Sequence, residues 1–149
     1  MDQRDAISVL LKYKEETIWS VTPDASVYEA IELMSEKGIG AVLVCSGRRL
    51  VGILSERDYA RKVILQGRSS RDTAVKDIMT TSLVSVTPPQ TVDECMRLMT
   101  QHRIRHLPVL ESERLVGILS IGGLVKWIIS AQQETIGHLH NYITGQYPA

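Results

Sequence analysis

Arg49-Leu50-Val51-Gly52-Ile53-Leu54-Ser55 returns unchanged as Arg114-Leu115-Val116-Gly117-Ile118-Leu119-Ser120, 65 positions later. The same offset relates Ser20-Val21-Thr22-Pro23 to Ser85-Val86-Thr87-Pro88. Between these anchors Val27/Val92, Glu29/Glu94, Leu33/Leu98, Met34/Met99, Ile39/Ile104 and Val44/Val109 also coincide. About half of the aligned positions are identical, against roughly 5–6% for unrelated residues, and the constant offset leaves no room for an insertion. The 149-residue chain is an internal duplication.

Each copy has the same pattern. A short strand ends at Thr-Pro, where proline stops the ladder and biases its neighbour towards extended geometry. The spacing of Val27, Ala30, Ile31 and Met34 predicts a helix over about 26–37. An apolar strand (Ala41 to Cys45), a polar turn (Ser46-Gly47-Arg48) and a second strand (Leu50 to Leu54) follow as a hairpin. A helix opening near Ser55 closes the unit, giving the order β-α-β-β-α. One such unit has little core of its own, so the two are expected to pack face to face across a pseudo-twofold axis. The expected fold class is α+β, with two units plus N- and C-terminal helices. The expected boundaries are an N-terminal segment 1–16, a first unit 17–66, a linker 67–79, a second unit 80–130 and a C-terminal helix and tail 131–149. Within that last helical pattern, which begins at Ile121, Gly137 marks an expected break.

Composition narrows the function classes. The chain is 44% apolar and 23% charged, the profile of a globular protein rather than a disordered one. Seventeen Lys+Arg balance seventeen Asp+Glu, which argues against a dedicated nucleic-acid binder. Aromatics make up 5% with no Phe, so Ile, Val, Leu and Met must build the core and base-stacking platforms are not expected. Cys45 and Cys95 lie in apolar runs without CxxC spacing, as buried thiols in a reducing compartment do. The start Met1-Asp2-Gln3-Arg4-Asp5 has no secretory pattern, and Lys126 interrupts the most apolar stretch, so the expected location is cytoplasmic with no membrane span.

The Val-Thr-Pro openings, the Ile104-Arg105-His106-Leu107-Pro108-Val109 strand and the Gly52-Ile53-Leu54-Ser55-Glu56-Arg57-Asp58 strand-to-helix turn resemble a CBS-domain pair. The resemblance covers residues ~17 to ~130, in both copies and in the same internal order. The chain is also similar to stand-alone bacterial CBS-pair proteins, whose ending is matched by Ser120 to Lys126 and Tyr142 to Gly145. The family implies adenosine-ligand sensing in clefts between the two units, with AMP, ADP, ATP or NAD as ligands and S-adenosylmethionine ranked behind them. It also implies a homodimer formed through helical faces.

Candidate site residues follow from chemistry and from this resemblance together. Ser55 and Asp58 match a capping box, which would merely satisfy helix amides. The ligand role is for the Asp58 carboxylate to accept hydrogen bonds from both ribose hydroxyls, and the two roles are compatible. In the second copy Ser120 is retained but Gly123 replaces the aspartate. The resemblance implies basic phosphate-binding residues at the facing unit's strand entry, which here reads Arg103-Ile104-Arg105-His106 against Gly38-Ile39-Gly40-Ala41 in the first copy. Arg103, Arg105 and His106 are therefore assigned to phosphate, with Arg57 as a further candidate, and a solvated helix end as the bland alternative. Thr17, Ile18, Ile39 and Ala41 are assigned to the adenine, which needs apolar faces and backbone groups, although each alone is ordinary core. No catalytic triad, phosphate-cradling glycine loop or metal-ligand spacing is present: His138 and His140, two apart, point to different helix faces. The expected function is a non-catalytic sensor of an adenine nucleotide. The alternative is a structural homodimerisation module with a vestigial ligand site, in which an exposed Trp127 and the C-terminal helix matter most.

Overall fold

The computed structural model describes residues 4–13 and 18–144, with Tyr13 and the last helix from residue 133 onward described as backbone only. The chain divides into two compact units, one of residues 17–83 and one of residues 1–16 together with 84–149. Its elements in chain order are α1 (Ile7–Tyr13), β1 (Ser20–Val21), α2 (Val27–Lys37), β2 (Ala41–Ser46), β3 (Arg49–Ser55), α3 (Glu56–Tyr59), α4 (Val92–His102), β4 (His106–Glu111), β5 (Arg114–Ser120) and α5 (Ile121–Thr144). A π-helical turn (Ala60–Ile64) continues α3, and a 3-10 turn (Val75–Asp77) precedes the second copy. The fold is α+β, as the duplicated pattern predicts.

In the 17–83 unit, β1 pairs in parallel with β2, and β2 pairs antiparallel with β3. The second copy repeats the hairpin as β4–β5, with a bulge at the equivalent place, between Val109 and Leu110 as between Val44 and Cys45. Its first strand shrinks to one parallel bridge, Val86 to Val109. The reason is a missing donor. The Leu43 amide donates to the Trp19 carbonyl, but the equivalent residue is Pro108, which has no N–H to give. The long helices are capped alike: Ser26 and Thr91 accept from the amides of Glu29 and Glu94, both at 3.1 Å.

The segment expected as a linker, 67–79, is a structural strap. Val75 and Ile78 are buried in the core of the first copy with Val27, Ala30, Met34, Val42, Val44 and Leu54. The Thr73 carbonyl accepts from the Val27 amide, the Ala25 carbonyl accepts from Val75, and Thr80 exchanges both backbone bonds with Ile53. The N-terminal segment does the same for the second copy. Asp5 accepts from Val92, Ile7 donates to Gln90 and Ser8 donates to Pro88, while Ile7 and Leu10 join Val92, Cys95, Met99, Leu107 and Leu119 in the core. The described residues 4–13 thus pack with the second unit. A four-element copy leaves the end of its long helix and one side of its core open, and a strap closes both. At the other end α5 runs unbroken through Gly137, so the closing helix of the second copy and the expected C-terminal helix are one element.

The strap sets the requirement for glycine at the middle of β3. A Cβ on Gly52 would lie 2.6 Å from Met79 Sδ and 3.1 Å from the Thr80 carbonyl oxygen. On Gly117 it would meet only Leu11 Cδ2, at 2.9 Å. Gly52→Ala is expected to cost about 1–3 kcal/mol through overpacking against backbone. Gly117→Ala is expected to cost less, because a leucine methyl can turn away. Thermal unfolding of the two variants side by side checks the order; equal melting temperatures would contradict it.

Candidate functional site

Strand β3 ends at Ser55, whose extended backbone makes it the N-cap of α3. Its Oγ accepts the Asp58 amide at 3.1 Å, while Asp58 Oδ2 accepts from the Ser55 amide at 3.0 Å and the Ser55 hydroxyl at 3.1 Å. The capping box foreseen from Ser-x-x-Asp is therefore formed in full. Asp58 Oδ1 pairs with Lys62 at 3.2 Å, and Lys62 Nζ also donates to the Ile78 carbonyl at 2.9 Å. The carboxylate side chain keeps 17% of its surface exposed.

Several other candidates converge on this junction. Ala41, buried at the start of β2, is the cross-strand partner of Ser55. The Glu56 amide donates to the Gly40 carbonyl at 3.0 Å, which pins the first turn of α3 to the entry of β2. Ile39 is half-buried just after Gly38, the left-handed cap of α2, and Arg57 is exposed in the first turn of α3. Ile18 is half-buried ahead of β1; Thr17 lies outside the described residues.

Arg103, Arg105 and His106 belong to the other unit, where they surround the equivalent junction. His106 pairs with Ser120, and the Ile121 amide donates to the Arg105 carbonyl at 2.9 Å. Ser120 Oγ accepts the Gly123 amide at 3.1 Å, so half of the cap survives without a carboxylate. Arg105 is exposed and His106 half-buried. Arg103 caps α4 with φ 55°, in the place that Gly38 occupies at φ 62° in the first copy. A side chain in that region costs roughly 1–2 kcal/mol relative to glycine.

One participant, Lys62, escaped the sequence reading, and another, Trp127, has a different role from the one expected. Lys62 lies four residues after Asp58, a spacing that pairs opposite charges on a helix and would have pointed to it. Trp127 is the repeat equivalent of Lys62, and it is buried at 8% exposure with Nε1 donating to Asp5 Oδ2 at 3.2 Å. This corrects the expectation of an exposed Trp127, because the indole anchors the N-terminal strap. Next to Lys62 lies an open depression of about 450 Å³ lined by Arg61, Lys62, Gln66, Arg68, Asp77 and Ile78.

The thiols are poorly suited to nucleophilic work. Burial, with a smaller contribution from Glu94, pushes the Cys95 thiol up to about 11, and burial raises Cys45 against a weaker opposing hydrogen bond with Ser20. Among the described residues no group of three or more His, Cys, Asp and Glu could hold a metal ion, and no helix is long and apolar enough to cross a membrane.

Comparison with known proteins adds four findings. The family model described as CBS domain matches residues 15–64 and 75–130. The chain is 42% identical over 135 residues to the mitochondrial CBS domain-containing protein CBSX3 of Arabidopsis thaliana, covering 87% of this chain and spanning 65% of that protein's length. Among solved structures, a Burkholderia ambifaria protein with CBS domains superposes with a TM-score of 0.84 at 53% identity, covering 86% of this chain and 96% of that one. The CBS domain pair of the protein MJ0100, solved in complex with 5′-methylthioadenosine and S-adenosyl-L-methionine, shares the fold with a TM-score of 0.76 at 20% identity, covering 85% of this chain and 98% of that one.

Two outcomes are expected from this chemistry. A raised pKa leaves less thiolate at any given pH, so at pH 8 a disulfide reagent is expected to label Cys45 slowly and Cys95 only after unfolding; rapid labelling of Cys95 in the native protein would contradict its burial. Arg103→Gly is expected to relieve the left-handed backbone and raise stability by about 1 kcal/mol, read as a higher melting temperature.

Proposed function

The chain belongs to the CBS-domain family as a tandem pair, and on that premise we propose that it is a non-catalytic regulatory sensor of an adenine nucleotide. The observation that carries this is the asymmetry of the two strand-to-helix junctions: Asp58 at one, Gly123 at the other. Asp58 sits at the end of β3 beside the Ala41 edge, with part of its carboxylate exposed. A carboxylate so placed suits a pair of ribose hydroxyls, acceptor to donors. Ser55 completes that subsite. Ile18, Ile39, Ala41 and, by the resemblance, Thr17 supply apolar surface and backbone groups for the adenine. Arg103, Arg105 and His106 of the second unit, with Arg57, are the cations for phosphate.

The adenosine ligands of the MJ0100 pair support the nucleoside as the shared part of the ligand. AMP, ADP, ATP and NAD are the ligands this cation set favours, with S-adenosylmethionine behind them. The cost of a side chain in the left-handed region at Arg103 supports a use for that guanidinium. Self-association as a homodimer belongs to the same proposal, since Val125 and Ile129, one turn apart on α5, are 40% and 47% exposed. Two free thiols suit a reducing compartment, for which the cytoplasm is proposed. One observation favours a second reading, a structural dimerisation module with a vestigial site: Asp58 already has full employment as a cap.

Thermal unfolding with AMP, ADP, ATP, NAD, S-adenosylmethionine, 5′-methylthioadenosine and 2′-deoxy-AMP separates the two. A true ligand at a hundred times its Kd adds about 2.7 kcal/mol of stability. The expected result is a rise with at least one ribonucleotide, a smaller rise with the 2′-deoxy sugar, and none for Asp58→Ala. Because losing the cap itself costs about 1 kcal/mol, the ligand-induced shift is the quantity to compare, rather than the absolute melting temperature. No shift with any ligand, or equal shifts in both proteins, would leave the structural module standing instead. Light scattering is expected to report a dimer at micromolar concentration; a monomer would remove that part of the proposal.

A further inference from the structure

We infer that Lys62 is an internal competitor for the Asp58 carboxylate, so that a ribose binds there only as Lys62 withdraws. This rests on the proposed role of Asp58 and adds a residue that tunes it. A carboxylate offers roughly four acceptor positions over its two oxygens. On Asp58 the Ser55 amide and hydroxyl take both positions of Oδ2, and the Lys62 ammonium stands 3.2 Å from Oδ1 as an ion pair. A ribose diol donates two hydrogen bonds, which must reach Oδ1 where that ammonium stands or displace a Ser55 bond. One of the three present partners must yield.

The Ser55 amide is fixed by the backbone of β3. The Ser55 hydroxyl is held at both ends of the box, accepting from Asp58 N–H while donating to Oδ2. Lys62 is held least. Its side chain is 44% exposed on a four-carbon stem, and it keeps the Ile78 carbonyl, at 2.9 Å, as a second acceptor when it leaves. The internal repeat points the same way. Where Asp58 becomes Gly123, Lys62 becomes Trp127, and the indole N–H serves the strap, at Asp5. The carboxylate and its competing cation are present together in one copy and absent together from the other. Withdrawal of Lys62 therefore exchanges its ion pair with Asp58 for a bond from the ligand, keeps its bond to the Ile78 carbonyl of the strap, and leaves an ammonium beside the depression lined by Arg61, Gln66 and Arg68.

Adenosine, which carries no phosphate to attract the lysine, is the probe. Its binding to wild type, Lys62→Met and Lys62→Arg is measured by calorimetry from about 0.1 M to about 1 M salt, where the screening length falls from roughly 10 to 3 Å. Removing a partly exposed ion pair is expected to tighten binding about two- to fivefold in Lys62→Met. Wild type and Lys62→Arg are expected to bind better as salt weakens the pair, and Lys62→Met to lose that trend. Equal or weaker binding by Lys62→Met, or the same salt trend in all three, overturns the inference and leaves the ribose role of Asp58 intact. AMP binding without adenosine binding does the same. If neither adenosine nor AMP binds any of the three folded proteins, the ribose role falls as well.

Discussion

The bond from the Val27 amide to the Thr73 carbonyl, with its counterpart from Val92 to Asp5, is the constraint on which the two units depend. The first amides of a helix have no partner within it, and a buried one left unpaired is costly. Here the strap answers the amide with a carbonyl and, two residues on, fills the space below with Val75 or Ile7, both fully buried. Packing and hydrogen bonding arrive in the same short segment. A copy of roughly 60 residues buries too little apolar surface to be secure without such an addition. The chain's order follows from this: the strap of the first copy comes after it, the strap of the second comes before the first copy, and so the second unit is discontinuous in sequence.

The same strap positions the candidate site. Thr80 exchanges both backbone bonds with Ile53, and Gly52 lets Met79 close onto β3, so the strand leading to Ser55 is held along its length. At the far end Ala41 pairs with Ser55 and Gly40 accepts from Glu56. Rigid at both ends, the junction presents Asp58 from a fixed first turn. Beyond it α3 lasts four residues before widening into a π-helical turn, and Lys62 stands within that turn. The acceptor is placed by strand geometry; the cation beside it is placed by a flexible stem. That difference in stiffness suits the proposed roles, one as a binding group and the other as a displaceable one.

The repeat, the hairpins and the caps were legible because they rest on local rules: period two in strands, Ser or Thr at helix starts, a polar turn between apolar runs. The straps were not. Their partners lie tens of residues away, and Thr73-Ala74-Val75 shares only one residue with Asp5-Ala6-Ile7, so identity between copies gave no sign of a common role. Trp127 was misplaced on the surface for a related reason. Its counterpart is a lysine, and only the contact of both with a strap shows that they do equivalent work. The loss of the second copy's first strand was readable in principle, since Pro108 stands where Leu43 donates, but only once the register of β2 against the preceding strand is known. Within the candidate site, Ser55 and Asp58 were found from spacing, while the pairing of the two carboxylate oxygens, Oδ2 with Ser55 and Oδ1 with Lys62, depends on rotamers no sequence pattern encodes.

Where the copies differ is itself informative. Val27/Val92, Met34/Met99, Val44/Val109 and Leu54/Leu119 are identical and buried, as close packing requires, because even one methylene is felt in a core. Among the exchanges, five fall around the Ser55 and Ser120 junctions: Gly38 to Arg103, Gly40 to Arg105, Ala41 to His106, Asp58 to Gly123 and Lys62 to Trp127. Two of these carry a cost that folding alone does not explain. Arg103 holds a left-handed backbone that glycine would adopt freely, and Asp58 bears a charge whose capping duty Ser120 and Gly123 show to be dispensable. A duplicated chain that keeps the packing of its core and the role of its straps can let the two junctions diverge independently. Here one has acquired an acid with its own counter-cation, and the other a set of bases. That opposite divergence is the one the proposed sensor calls for, an acceptor for ribose hydroxyls at one junction and cations for phosphate at the other.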